Sequence, residues 1–320
     1  MKLNETLIEA MKARLSPVGD NLANILMEIL CIGKEAVYRR LRGEVPFSLD
    51  EAAIITQYFK ISLDNVIGTR RTSNALFDLN IVDADNPLAT YAKILEQYTV
   101  MYKKIKDYEY SDFQTATNLM PQSFYLRFDQ ISRFRLFKWL YQNGGKKSVK
   151  HLSDLVIPDD IRSLQKKYVY EAQYIRTTTY VLDNLIFLYF INDIKYFINI
   201  HLIEKEDIKL LKEDLLYMLD ELEKQTSEGM FKATGSKLQI YVSNVNFEAS
   251  YGYLSCPLFN VAIIRLYSIN AMMSVNPDVF NHHADWVQSL KKYSTMISES
   301  AETQRIQFFK TQRNLVKELG

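Results

Sequence analysis

Between residues 4 and 68 this chain alternates short runs of helical periodicity with helix breakers so closely that only a small bundle of short helices can satisfy the pattern. Leu7, Ile8, Met11 and Leu15 recur at near-helical spacing before the stop Ser16-Pro17-Val18-Gly19. The next run, DNLANILMEIL, has Asp20 or Asn21 as its cap and breaks at Cys31-Ile32-Gly33. A third, KEAVYRRLR, closes at Gly43, where glycine makes a left-handed C-cap cheapest. Ser48-Leu49-Asp50-Glu51 reads as a capping box ahead of Ala52, Ile55 and Phe59, which share a face. Ser62 caps a last turn, SLDNVI, ended by Gly68. The polar stretch 69–74 has no period and separates a first domain, 1–70, from a second, 75–320.

The third run carries the one local charge concentration with a geometric meaning: Lys34, Arg39, Arg40 and Arg42 against Glu35. On a helix, Val37 and Leu41 lie four apart and pack inward, while Glu35, Tyr38, Arg39 and Arg42 share the outer face. A helix of this size fits the DNA major groove, where arginine can pair bidentately with guanine. The plainer reading of the same residues is a solvated basic helix without a ligand.

IGKEAVYRRLRGE followed by FSLDEAAIITQYFKISLDNVIG resembles the lambda-repressor-like (XRE-type) helix-turn-helix domains of the Cro/repressor transcriptional regulators, and within them a branch whose recognition helix reads AxYRRLRGE. The resemblance spans residues 20–68. It implies five helices, the third in the major groove, the second crossing the backbone, and a dimer on a palindromic operator. Lys34, Glu35, Tyr38 and Arg39 then face bases, Arg42 and Arg40 face phosphate, and Val37 takes the buried branched position. Cys31 stands where the family places a turn glycine, with Gly33 able to supply the turn instead, and Met27 stands where it places a small alanine. Both departures bear on the crossing angle of the two helices. Residues 1–71 hold ten Lys and Arg against nine Asp and Glu, so a monomer should bind DNA modestly and rely on dimerisation.

Beyond residue 75, Gly 10 and Pro 7 in 320 residues are few for a turn-rich β architecture. Helices are expected after Asn86-Pro87, from Pro121 to Asn143-Gly144, after Pro158, over 183–202 and over 205–224. KLQIYVSNV and SYGYLSC alternate and suggest one β-hairpin, after which helices return over 257–275, 277–298 and 302–319. The expected fold is therefore mainly α: the five-helix domain plus a larger helical domain with one small β-hairpin, for dimerisation and sensing. Tyr241, Tyr251 and Tyr253 are candidates for the edge of a ligand or dimer surface, given tyrosine's apolar body and polar tip.

A formal net charge of +1 gives no global argument for an acidic partner. Cys31 and Cys256, far apart, suit a reducing cytosol, and Glu9 and Lys12 interrupt the start as a secretory signal. Asp183, Asp193 and Lys195 break the most apolar tract, 177–203, so a cytoplasmic protein without membrane spans is expected. GMFKATGSK has the wrong spacing for a phosphate loop, and the adjacent His282 and His283 would point about 100° apart on a helix. No cofactor, metal site or catalytic set emerges, so an enzyme is not expected. The sequence therefore points to a homodimeric, sequence-specific transcriptional regulator acting on double-stranded DNA, with a small-molecule or peptide effector. The alternatives are a peptide-sensing helical regulator and an antitoxin-like or defence-type interaction protein that binds no DNA.

Overall fold

The computed structural model describes residues 3–12, 14–15, 21–59, 61, 63, 66, 75–83, 85–143 and 149–319. The expected stop at 16–19, the caps Asp20 and Ser62, Gly68, the linker 69–74 and Gly144 lie outside them. The chain divides into two compact units, Met1–Leu76 and Phe77–Gly320.

The first unit contains α1 (Leu3–Lys12), α2 (Leu22–Leu30), α3 (Lys34–Leu41) and α4 (Leu49–Phe59). Each helix contributes a narrow apolar face to one core, in which Met11, Leu26, Val37 and Ile55 are fully buried. The helix starts are set locally. Asn21 caps α2 by accepting from the Ala23 N–H at 2.9 Å. At α4 the Ser48 hydroxyl accepts from the Glu51 N–H while the Glu51 carboxylate accepts from the Ser48 N–H, a closed capping box.

The second unit is not mainly α. It is built on an eight-stranded mixed sheet in the order β1-β7-β6-β5-β2-β3-β4-β8. In chain order it comprises β1 (Asp78–Asn80), α5 (Pro87–Ile105), β2 (Asp112–Thr117), α6 (Gln122–Tyr125), α7 (Asp129–Gln142), α8 (Asp159–Ala172), β3 (Thr177–Leu182), α9 (Ile186–Asn199) and α10 (Lys205–Glu228). β4 (Lys237–Ser243), β5 (Tyr251–Cys256), β6 (Phe259–Leu266), β7 (Asn270–Ser274), α11 (Pro277–Lys292), β8 (Ser294–Met296) and α12 (Glu302–Lys317) follow. β2, β3 and β4 run parallel, joined by helical crossovers, and the remaining neighbours pair antiparallel.

The expectation of one small hairpin in a helical domain fails at identifiable places. The helix expected over 257–275 is the β6–β7 hairpin: Pro257 lies in the short turn between β5 and β6, where Cys256 pairs with Phe259, and does not open a helix. The two segments expected to pair with each other are both strands, but β4 lies between β3 and β8 while β5 lies between β2 and β6. The connection between them crosses the ends of β3 and β2. There the buried Asp183 carboxylate accepts from the Leu185 and Phe247 N–H groups, each at 2.8 Å, and Asn118 Nδ2 donates to the Phe247 carbonyl at 3.1 Å.

Helices cover both faces of the sheet. α11 lies on one, with Val287 and Leu290 against Ala116, Val181 and Tyr253. The main core fills the other, where Tyr180, Leu182, Leu238, Ile240 and Leu254 meet residues of α5, α7, α8, α9, α10 and α12.

Candidate nucleic-acid interface

α2 and α3 are joined by three residues, and Cys31 makes the break. It adopts φ 53° and ψ 38°, the left-handed conformation usually left to glycine, whereas Gly33 is extended at φ −69° and ψ 159° and caps α3. The turn is therefore supplied by Cys31 and not by Gly33. A left-handed non-glycine residue costs roughly 1–2 kcal/mol, which the packing of α2 and α3 into the shared core must offset.

Val37, fully buried, anchors α3, and Leu41 and Tyr38 pack partly against the same core. Lys34, Glu35, Arg39 and Arg42 are exposed on the other side. The Lys34 ammonium lies 6.0 Å from the centre of the Tyr38 ring, at the outer limit of a cation–π contact.

Arg40 has a different place from its neighbours. Its guanidinium donates through Nε and Nη2 to the two Glu51 carboxylate oxygens at 2.9 and 2.7 Å, and through Nη1 to the Ala36 carbonyl at 3.2 Å. With the Arg40 side chain 18% exposed and that of Glu51 16%, the fork ties α3 to the start of α4 and does not reach outward to a phosphate. The Asn4 amide strengthens the junction by donating to the Arg40 carbonyl and accepting from the Phe47 N–H. Burial raises the Glu51 pKa, but the Arg40 and Ser48 hydrogen bonds outweigh it and hold the carboxyl below its ordinary value.

Glu44 is the residue of this surface that sequence reasoning passed over. Its carboxylate accepts from Arg42 Nε at 2.6 Å and lies 3.6 Å from Arg39 Nε, and Arg42 also reaches Glu35 at 3.3 Å. The Arg42 hydrogen bond lowers the Glu44 pKa and, reciprocally, raises that of Arg42. All four side chains are about half exposed or more, so the cluster contributes little stability and can be opened by a competing anion. The signal lay in RRLRGE itself, where a glutamate follows Arg42 by two residues.

Tyr241, Tyr251 and Tyr253 lie under α11 in a helix–sheet contact, not at an open edge. Tyr253 is buried against Phe280, with ring centres 5.2 Å apart, Tyr251 meets His283, and Lys291 covers the Tyr241 ring. Burial, aided by the charge of Asp112, pushes the Tyr253 hydroxyl up to about 12.

Comparison with known proteins gives no matching family model, no matching curated protein and no matching solved structure. Among the described residues no helix is long and apolar enough to cross a membrane, and no group of three or more His, Cys, Asp or Glu residues could hold a metal ion.

Proposed function

We propose that the chain is a sequence-specific DNA-binding transcriptional regulator whose α3 enters the major groove. One observation carries the reading. α3 is fixed from behind by Val37 and by the Arg40–Glu51 fork, and it presents Lys34, Glu35, Arg39 and Arg42 outward, with Tyr38 half-buried at the edge of that face. A helix held in this way, with guanidinium, ammonium and carboxylate groups on one face, suits direct readout of base edges. Arg42 is placed to meet phosphate once Glu44 yields it, and Arg40 orients the helix without touching DNA.

The near balance of charge in the first unit gives one copy little non-specific attraction for a duplex, so the chain acts as a homodimer on two half-sites about 34 Å apart. A mixed sheet, not paired-helix repeats, underlies the second unit, which weighs against the peptide-sensing alternative. Selection of duplexes from random genomic fragments by the purified chain tests the proposal. An enriched inverted repeat, bound with an affinity that falls steeply with salt, is expected; recovery of no preferred sequence at low salt would remove the regulator reading.

A further inference from the structure

A second site lies in the unit that does not carry the helix-turn-helix. Between the sheet and α5 and α8 is a cavity of about 70 Å³. Its floor is a patch of β2 and β3 in which Phe113 lies opposite Thr178 and Thr115 opposite Tyr180. Tyr102 and Tyr168 close it from the helices, and Arg265 of β6 enters from the side.

Two of its polar groups are under-used. Arg265 donates to Gln122 Oε1 at 3.0 Å and, at 3.5 Å, to the Ile269 carbonyl, yet it has no carboxylate within 4 Å among the described residues. Thr178, 2% exposed, has a buried hydroxyl with no hydrogen-bond partner among the described residues. A buried hydroxyl without a partner is destabilising relative to a satisfied one, so a group that accepts from or donates to it would be retained. The tyrosine hydroxyls remain neutral donors at physiological pH, since burial pushes Tyr168 up to about 12 even with Arg265 pulling it back. Tyr102 and Tyr168 approach each other only at 3.4 Å, while Tyr180 is held by Ser123 at 2.6 Å.

We infer that this cavity binds a short-chain carboxylate monoanion, with Arg265 as its counter-ion and Thr178 as a hydrogen-bond partner. Charge sets the first limit. One guanidinium neutralises one negative charge, and a buried dianion would remain uncompensated. Size sets the second, because the cavity is about half the roughly 150 Å³ that accommodates benzene, which leaves room for a handful of non-hydrogen atoms. Phe113, Met120 and Ile175 supply an apolar wall for an alkyl chain, where a bare inorganic anion would gain nothing.

Calorimetric titration of the full chain, without DNA, with acetate, propionate and butyrate tests this, with propionamide and matched sodium chloride as controls. Saturable binding of at least one carboxylate, and none of the amide or chloride, is expected. Arg265→Gln should weaken it by about tenfold or more, as loss of a charge-assisted pair requires. Thr178→Val, which keeps the side chain's shape, should weaken it several-fold and serves where Arg265→Gln does not fold. Absence of saturation with all three acids, equal binding of propionamide, or unchanged affinity in a folded Arg265→Gln or Thr178→Val protein would overturn the inference. None of these outcomes bears on the DNA reading, because no duplex is present.

Discussion

At Arg39 the guanidinium has one ionic neighbour among the described residues, Glu44, and its side chain is 54% exposed, the freer of the two arginines of α3. Arg39→Ala should weaken binding to the selected site by roughly 1–3 kcal/mol and relax preference at one base pair, read by anisotropy against a panel of single substitutions. Glu44→Gln should act oppositely. Removing the shared carboxylate frees Arg39, leaves Arg42 only its contact with Glu35, and takes a negative charge from beside the outward face of α3. Tighter binding to specific and random duplexes alike is expected, and unchanged affinity would mean that Glu44 does not compete with DNA.

Arg40 carries a different expectation, since its partner is Glu51 and its side chain is mostly buried. Arg40→Gln should lower the stability of the first unit by about 1–2 kcal/mol, less than for a fully buried pair, and leave a folded protein's phosphate contacts in place. The pH dependence has a definite sign. The folded Glu51 pKa is depressed, so the unfolded chain binds its proton first as pH falls. Its stabilisation is complete above the ordinary glutamate range, declines as pH drops below about 4.3, and is gone once the folded carboxyl also protonates. Acid titration of thermal stability should show this loss in wild type and not in Glu51→Gln.

Among the elements, those of the first unit were legible because each carries its own punctuation. Asn21 and the Ser48–Glu51 box are local signals, and the structure uses both. The central strands carry none. β2 and β3 are parallel, covered on both faces and rich in threonine, so DFQTAT and TTTYVL lack the alternation that marks a half-exposed strand. β6 and β7 were hidden by their turn. Tyr267 and Ser268 both take positive φ, 43° and 74°, with no glycine or asparagine to announce it. Yet Val261, Ile263 and Ile264 are β-branched, a hint that the run was a strand. Helical spacing accords with the exposure of Glu35, Arg39 and Arg42 but not with the half-buried Tyr38, and the role of Arg40 depended on where α4 falls, which spacing within α3 does not contain. The connection from β4 to β5 offers its own test. Asp183→Ala would leave the Leu185 and Phe247 N–H groups unpaired, at a cost of about 2–4 kcal/mol in the second unit's unfolding.

For the whole molecule, two compact units imply two cooperative transitions, not one. The smaller unit has less buried surface per residue and should melt first. Val37→Ala removes two methyl groups from a fully buried site, so a loss of about 2 kcal/mol should appear in the first calorimetric transition and leave the second unmoved. Asp183→Ala should show the converse. A single transition shifted by both substitutions would mean that the units unfold as one.

The bend between α2 and α3 has a practical corollary. Of the chain's two sulfhydryls, Cys256 is shielded by β-structure and Cys31 stands in the open, on the residue that reverses the backbone ahead of α3. A maleimide dye would therefore attach at one place in the unaltered protein, within a turn of the face of α3 proposed to read DNA, and a change in its brightness on adding the selected duplex is expected.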